Sequence, residues 1–126
     1  MNPDLARALA IRFLDAWNAH DVDSLMACMT DDCVFYAAAG SGPDGALAEG
    51  AEAVRVAYAA IFERFPDARW ADGEHHPAGG EMIISTWTFH GTSADGSVRV
   101  RGCDLLTLRG DRIHIKDSYR KQIVAV

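Results

Sequence analysis

A single acidic residue falls on the apolar face of a strongly alternating stretch. From Val98 onward the chain reads VRVRGCDLLTLR, which is typical of a β-strand. Residues two apart in a strand share a face, so Asp104 lies in register with Val98, Val100, Gly102, Leu106 and Leu108. A carboxylate that loses its water must be paired, hydrogen-bonded or protonated, because an isolated buried charge is costly. Asp104 is therefore a candidate acid or base; the alternatives are an acid satisfied by a nearby base or a strand end open to water.

The partner of Asp104 depends on the phase of the last predicted strand, which reads IHIKDSYRK. If Gly110 and Asp111 form a simple two-residue turn, Asp117 and Tyr119 share the face of Asp104. Two facing carboxylates favour a shared proton. This phase would make the site a pair of acids.

A β-bulge between positions 115 and 117 would reverse the phase, and we favour this arrangement. It brings three polar side chains to the face of Asp104, namely those of Lys116, Ser118 and Arg120. Lys116 or Arg120 could then pair with Asp104 and keep it ionised, which predicts Asp104 and Lys116 as catalytic residues. Ser118 and Arg120 would bind the substrate or stabilise an oxyanion. The alternative for Lys116 and Arg120 is that they are solvated charges at a sheet edge.

Three aromatic side chains are predicted to contact a substrate. Trp17 lies on the apolar stripe of the first predicted helix, Tyr58 on that of the third, and Trp87 in an apolar strand. Indole and phenol rings combine an apolar body with a polar tip, which suits them to line a pocket. The alternative for each ring is an ordinary place in the core.

The hydrophobic spacing predicts mainly helices first and strands afterwards. Apolar residues recur at helical spacing in residues 3–19, in a short segment after Asp21, and in the segment that ends at Pro66. Strands are predicted at about residues 33–36, 68–76, 81–92, 97–109 and 112–124, and residues 37–50 are expected to form a loop. Helices followed by an antiparallel meander indicate an α+β fold, in which the helices cover one face of a curved sheet and leave a cavity between the layers.

Composition and charge narrow the function classes. With 126 residues, the chain is expected to form one domain over residues 1–126. The net charge of −6 argues against nucleic-acid binding, which favours basic surfaces. No apolar run approaches the roughly 20 residues that span a bilayer, and the first residues do not resemble a signal peptide. A cytoplasmic location without a membrane partner is therefore expected.

Cysteine and histidine usage does not indicate a metal site or a disulfide framework. Cys28, Cys33 and Cys103 are odd in number and lack a CxxC spacing. His75 and His76 are adjacent, and neighbours on a strand point to opposite faces, which makes them poor joint ligands. We therefore expect neither a metal nor another cofactor.

The opposite face of the Asp104 strand mixes apolar and cationic side chains. It carries Arg99, Arg101, Cys103, Leu105, Thr107 and Arg109. Such a mixture is typical of some dimer surfaces. The alternative is that the aliphatic stems of the arginines simply cover the face.

Four strings, in this order and spacing, resemble the nuclear transport factor 2-like superfamily and, within it, the SnoaL-like proteins. They are FLDAWNAHDVDSLMACMTDDCVFY, GAEAVRVAYAAIFERFPD, WTFHGTSADG and VRGCDLLTLRGDRIHIKDSYRK, and together they span nearly the whole chain. The resemblance implies a cone-shaped α+β barrel of the cystatin-like type, with three N-terminal helices packed in a curved, mostly antiparallel sheet. It also implies a deep pocket for a small organic ligand and a homodimer formed through the outer sheet face.

The resemblance transfers function only residue by residue, because one fold hosts many activities. Steroid isomerases of this superfamily are similar in having an acid at the position of Asp104. Their tyrosine matches Phe13 and their aspartate base matches Ala37, so two of the three groups are missing. We therefore expect a small-molecule pocket protein. The enzyme classes that fit it are a cofactor-independent isomerase, a dehydratase and a polyketide-cyclase-like enzyme. The alternative is a non-catalytic ligand-binding or association module.

Overall fold

Helices dominate the first half of the chain and strands the second. The structure, a computed structural model, describes residues 2–125. In that range the helices are α1 (Pro3–Asn18), α2 (Val22–Ala27) and α3 (Ala51–Arg64). The strands are β1 (Met29–Tyr36), β2 (Leu47–Glu49), β3 (Arg69–Pro77), β4 (Met82–Ser93), β5 (Gly96–Arg109) and β6 (Arg112–Arg120).

The strands form a mixed sheet in the order β2-β1-β6-β5-β4-β3. β1 and β6 run parallel, and the other neighbouring pairs are antiparallel. The helices pack against the sheet, with α1 on β3 and β4 and α3 on β1. The predicted α+β class, with three helices and a mostly antiparallel sheet, is confirmed.

The start of α1 is determined by its own sequence. The Asn2 side chain accepts hydrogen bonds from the backbone N–H groups of Asp4 at 2.8 Å and Leu5 at 3.3 Å. Pro3 occupies the first turn, where its missing N–H is not needed. The buried stripe of the helix consists of Ala6, Leu9, Ala10, Phe13, Ala16 and Trp17. This stripe places the two aromatic rings in the main core.

Three strands differ from the prediction by more than two residues. β1 begins at Met29 rather than at residue 33, because Met29 pairs with Ile113 of β6. The predicted loop of residues 37–50 contains β2, whose Ala48 pairs with Phe35. Three residues show too little alternation to reveal a strand, so the pairing with β1 defines it. β6 ends at Arg120 rather than at residue 124.

A β-bulge at His114 sets the phase of β6. Leu108 pairs with Ile113, whereas the preceding residue of β5, Thr107, pairs with Ile115. His114 is therefore the extra residue in the ladder. The predicted effect of the bulge is confirmed, because Lys116 and Ser118 lie on the face of Asp104. Its predicted position between residues 115 and 117 is wrong, because the extra residue is His114.

Side chains of β1 form hydrogen bonds to the residues around the bulge. The Thr30 hydroxyl and Nδ1 of His114 are hydrogen-bonded at 3.2 Å. Arg109 donates to the Asp32 carboxylate, and this hydrogen bond lowers the pKa of Asp32 to about 2. β1 is itself irregular opposite the bulge, between its pairs at residues 29 and 34. The bulge is therefore supported by contacts that no local pattern reports.

Candidate functional site

Asp104 lies at the centre of a buried polar cluster. The Ser118 hydroxyl donates to Oδ1 at 2.7 Å, and the Trp87 indole N–H donates to Oδ2 at 3.1 Å. Lys116 Nζ lies 3.2 Å from Oδ1 and donates to Ser118 Oγ at 2.5 Å. Asp104 is 5% exposed and Lys116 is 6% exposed, so the two form a buried ion pair. The bulge brings them together, because it sets Ser118 opposite Asp104 and Lys116 opposite Leu106.

An aromatic cage surrounds the Lys116 ammonium. Nζ lies 4.7 Å from the ring centroid of Phe35, 5.0 Å from that of Trp17 and 5.9 Å from that of Tyr58. The faces of these rings attract a cation. Burial lowers the pKa of Lys116, and the neighbouring Asp104 carboxylate opposes this shift. The ammonium is thus held by a carboxylate on one side and by rings on the other.

An open cleft reaches the polar cluster at Ser118. This loop cleft lies between the segment after β1 and the end of β6, with a volume of about 320 Å³. It is lined by Tyr36, Ala37, Ala38, Pro43, Asp44, Gly45, Asp117, Ser118 and Tyr119. Ser118 is 8% exposed, and it both lines the cleft and hydrogen-bonds Asp104. Ser118 therefore lies between the cleft and the buried ion pair.

Two positions that hold catalytic groups in the steroid isomerases carry side chains without a transferable proton here, namely Phe13 and Ala37. Phe13 is buried in the main core, 6.1 Å from the Trp17 ring and 6.4 Å from the Tyr58 ring. Ala37 lines the loop cleft with a methyl group. Of the three positions that the resemblance assigns, only that of Asp104 carries an acidic side chain.

Trp17 and Tyr58, both predicted substrate contacts, lie inside the core. Their ring centroids are 4.6 Å apart, and the residues are 3% and 0% exposed. The Tyr58 hydroxyl donates to the Met29 sulfur at 3.0 Å, and burial raises the pKa of the phenol. Trp17 Nε1 has no hydrogen-bond partner within residues 2–125. The unpaired Trp17 N–H is thus enclosed in the core, whereas the Tyr58 hydroxyl has a partner.

Trp87 and Arg120, the other predicted substrate contacts, lie beside the polar cluster. Trp87 packs over Gly102, where an added Cβ would lie 2.6 Å from the indole ring. Its N–H orients the Asp104 carboxylate. Arg120 pairs with Gly102 in the ladder, and its guanidinium carbon lies 4.9 Å from the Phe89 ring centroid. Arg120 therefore stacks on a ring instead of pairing with Asp104.

Two further polar residues lie on the same sheet face, and neither is among the residues predicted from the sequence. Ser85 pairs with Asp104 across β4 and β5, and His75 pairs with Ser85 across β3 and β4. His75 Nδ1 and Ser85 Oγ are hydrogen-bonded at 2.7 Å. With Ser118 they complete a polar row across four strands. The alternation of β4 contains a signal for this row, since Ser85 shares the buried face of Ile83, Trp87 and Phe89.

Metal-binding groups, disulfides and membrane-spanning helices are absent from the described residues. Within residues 2–125, no group of three His, Cys, Asp or Glu side chains is arranged to hold a metal ion. The cysteines are free thiols, of which Cys28 and Cys33 are buried. In the same range, no helix is long and apolar enough to cross a membrane. The polar groups around the Asp104 carboxylate are the Lys116 ammonium, the Ser118 hydroxyl and the Trp87 indole N–H.

Solved structures share this fold at low sequence identity. A candidate polyketide cyclase from Xanthomonas campestris is 17% identical; the match covers 94% of this chain and 92% of that one, with a TM-score of 0.80. An NTF2-like protein of unknown function from Mesorhizobium loti is 27% identical, with coverage of 97% and 95% and a TM-score of 0.78. A Catenulispora acidiphila protein with a ketosteroid isomerase-like fold, in complex with trimethylamine, is 17% identical, with coverage of 88% and 83% and a TM-score of 0.76.

The family follows from the sequence match. The family model described as the SnoaL-like domain matches residues 10–114. Comparison with curated proteins found no match. Structural neighbours include proteins described by their cystatin-like fold, which confirms the predicted architecture. Because the family model covers most of its length, the chain belongs to the SnoaL-like family, with the NTF2-like fold.

Proposed function

We propose that the protein binds a small organic ligand in the loop cleft and transfers a proton between that ligand and Asp104 without a cofactor. The position of Ser118 carries this proposal. Ser118 lines the cleft, donates to Asp104 and accepts from Lys116. A hydroxyl in this position can relay a proton between a ligand and a carboxylate that the ligand does not touch.

The relay conserves protons and charge at every step. A C–H or O–H group of the ligand gives its proton to Ser118 Oγ while Ser118 passes its own proton to Asp104. Asp104 becomes neutral, and the ligand acquires the negative charge. The Lys116 ammonium, released from its counter-charge, then stabilises the anionic ligand. Return of the proton from Asp104 through Ser118 to another ligand atom gives isomerisation. Loss of hydroxide from the carbanion, with the Asp104 proton joining it to form water, gives dehydration. Attack of the carbanion on a carbonyl group of the ligand, with the Asp104 proton passing to the resulting alkoxide, gives cyclisation.

The lining of the loop cleft favours a small neutral ligand with polar groups. The carboxylates of Asp44 and Asp117 line it, and they would repel an anion. The phenols of Tyr36 and Tyr119 offer hydrogen bonds, although the Tyr119 hydroxyl donates to Asp117 at 3.2 Å. The trimethylamine complex of the Catenulispora acidiphila protein supports a small ligand, and the Xanthomonas campestris neighbour makes cyclisation a reaction to test.

A non-catalytic pocket is the second candidate, and the enclosure of the ion pair favours it. Asp104 and Lys116 are almost fully buried. The rings of the aromatic cage occupy the space beside the ammonium. In this case the ligand binds in the loop cleft, and the ion pair serves to hold β5 against β6.

Exchange of ligand protons with deuterated water separates the two candidates. The panel consists of small carbonyl compounds, whose α-protons exchange when a base removes them. Ser118→Ala removes the relay and Asp104→Asn removes the base, while Ser97→Ala is the matched control because Ser97 is exposed on β5. We expect enzyme-dependent exchange to fall at least about 100-fold in the first two variants and to be unchanged in the third.

The remaining outcomes are equally distinct. NMR shifts at Ala38 and Tyr119 without any exchange in the wild type would establish the non-catalytic pocket. Exchange that persists in Ser118→Ala would exclude the relay. A panel that neither binds nor exchanges would contradict the loop cleft as a ligand site.

We also propose that the outer sheet face forms a homodimer. Leu105 and Thr107 on this face are only partly buried, whereas Arg99 and Arg101 are exposed. Tyr119, which pairs with Cys103 and is 52% exposed, extends the apolar part of this surface. Analytical ultracentrifugation should give twice the chain mass of 13.7 kDa for the wild type and the monomer for Leu105→Glu. A monomeric wild type would contradict the dimer.

A further inference from the structure

A second cleft lies between α1 and the edge strand β3, at the other end of the polar row. This α1–β3 cleft has a volume of about 530 Å³, larger than the loop cleft, with which it shares no lining residue. Its apolar wall is formed by Ile11, Leu14 and Trp70. His75 also lines it. The cleft therefore joins an apolar surface with a titratable group.

A bulge in β3 opens this cleft. The register of β3 on β4 shifts within residues 71–74, and Asp72 adopts a left-handed conformation with φ of 57°. A Cβ at the following Gly73 would lie 2.4 Å from Leu14 Cδ2 and 3.8 Å from His75 Nε2. The missing side chain lets α1 approach closely, and His75 Nε2 lies beside the same glycine, which lines the cleft.

The hydrogen bonds of His75 define which ring nitrogen carries the proton. Nδ1 is 2.7 Å from Ser85 Oγ, and Ser85 is 3% exposed. Within residues 2–125, the Ser85 hydroxyl has no other hydrogen-bond partner, and donation to Nδ1 is the arrangement that leaves no buried hydroxyl proton unpaired. A neutral imidazole whose Nδ1 accepts a hydrogen bond has its proton on Nε2. In the same residues Nε2 has no partner, and it lies near Gly73, which also lines the cleft.

The environment of His75 favours the neutral ring. Burial lowers its pKa, and the adjacent His76 and Arg7 act in the same direction, while Asp15 and Asp104 oppose them. A neutral imidazole held in one tautomer is a hydrogen-bond donor that can polarise a carbonyl oxygen. The ring therefore offers the cleft a fixed N–H donor without a charge.

We propose that the α1–β3 cleft is a second small-molecule site, in which His75 Nε2 donates a hydrogen bond to the carbonyl oxygen of a neutral ligand with an aromatic or aliphatic body. The apolar wall of the cleft accepts that body. Its lining includes one cationic side chain, Arg7, and two acidic ones, Asp15 and Glu74. The cleft therefore has no excess of positive charge that would attract an anion. This site does not involve the Ser118 relay, and either site can fail without the other.

Acetophenone tests the proposal, because it presents one carbonyl group on an aromatic body. In protein labelled with ¹⁵N at histidine, we expect NMR to show His75 as the Nε2–H tautomer. Titration with acetophenone should shift the His75 Nε2–H signal and leave that of His90 on β4, which lines neither cleft, unchanged. His75→Phe should weaken binding about threefold to tenfold, the effect of one neutral hydrogen bond, whereas His90→Gln should not.

Ser85→Ala provides a second variant that retains the imidazole. It removes the donor to Nδ1, so the Nε2–H tautomer should lose population and acetophenone should bind more weakly. Equal binding by the wild type, His75→Phe and Ser85→Ala would overturn the proposal. Shifts confined to Ala38 and Ser118 of the loop cleft would overturn it as well, as would a wild-type His75 protonated on Nδ1.

Discussion

Lys116 Nζ lies 3.2 Å from Asp104 Oδ1, and both residues are almost fully buried. The pair forms because His114 is left out of the ladder between β5 and β6. Both charges have lost most of their water, so each depends on the other for compensation. The consequences of mutation therefore depend on whether one charge or both are removed.

Removal of Asp104 alone should destabilise the protein strongly. Asp104→Leu leaves the Lys116 ammonium buried without a counter-charge, and the free energy of unfolding should fall by about 3–5 kcal/mol. The double variant Asp104→Leu with Lys116→Met replaces both charges by apolar groups and should be near wild-type stability or above it. Urea denaturation of the three proteins measures this difference. A well-tolerated single variant, which we would expect of an uncharged acid, would contradict the ion pair.

Deletion of His114 should leave the phase of β6 intact. The deletion joins Ile113 to Ile115 and gives an uninterrupted ladder in which the later residues keep their faces. Deletion of Asp117 is the matched control, because it moves Ser118 from the inner to the outer face. The midpoint of thermal unfolding should fall much less for the first deletion than for the second.

Lysine acetylation provides a direct measure of this phase. The chain contains two lysines, Lys116 and Lys121. Lys116 is 6% exposed, whereas Lys121 is exposed and reports the extent of the reaction. In the protein without His114, mass spectrometry should find Lys121 acetylated and Lys116 protected. Rapid acetylation of both would show that the bulge does more than set the phase.

His75 should make the protein less stable in mild acid. Its pKa is lowered from 6.5 mainly by burial, so the unfolded chain takes up a proton at a higher pH than the folded protein does. The free energy of unfolding should be highest above about pH 6.5 and should decline as the pH falls below that value. Urea denaturation across this range measures the slope, which His75→Gln should flatten and His90→Gln should not. An unchanged slope in His75→Gln would assign it to other groups.

Tyr58→Phe should have little effect on stability or on ligand binding. The hydroxyl is buried and donates to the Met29 sulfur, which is a weak acceptor. Its loss should reduce the free energy of unfolding by about 1 kcal/mol or less. Affinity for a loop-cleft ligand, measured by NMR titration, should be unchanged. A clear loss of affinity would place the Tyr58 hydroxyl in contact with the ligand.

The alternation of β5 was enough to single out Asp104, because the face of a strand residue is a local property. The position of Asp104 among buried residues follows the predicted face, with Val100, Leu106 and Leu108 buried beside it. The start of α1 was equally local, since Asn2 caps the helix through residues two and three positions away. These features could be predicted because their partners lie within a few residues.

The position of the bulge could not be predicted in the same way. A strand pattern with one extra residue fits the sequence at several points, and each choice reverses the faces beyond it. The contact between His114 and Thr30 spans 84 residues, and the hydrogen bond from Arg109 to Asp32 spans 77. The phase was therefore predictable as one of two alternatives, while its origin at His114 was not.

The sequence by itself determined which residues could do chemistry, namely an acid in an apolar strand and polar side chains in the strand after it. The tertiary structure alone decided that Lys116 pairs with Asp104 and that Ser118 connects the pair to a cleft. It also decided that His75 joins the polar row through Ser85. The physical reason is that these contacts depend on the register between strands, which bulges and distant side chains set together, and no strand contains that register in its own pattern.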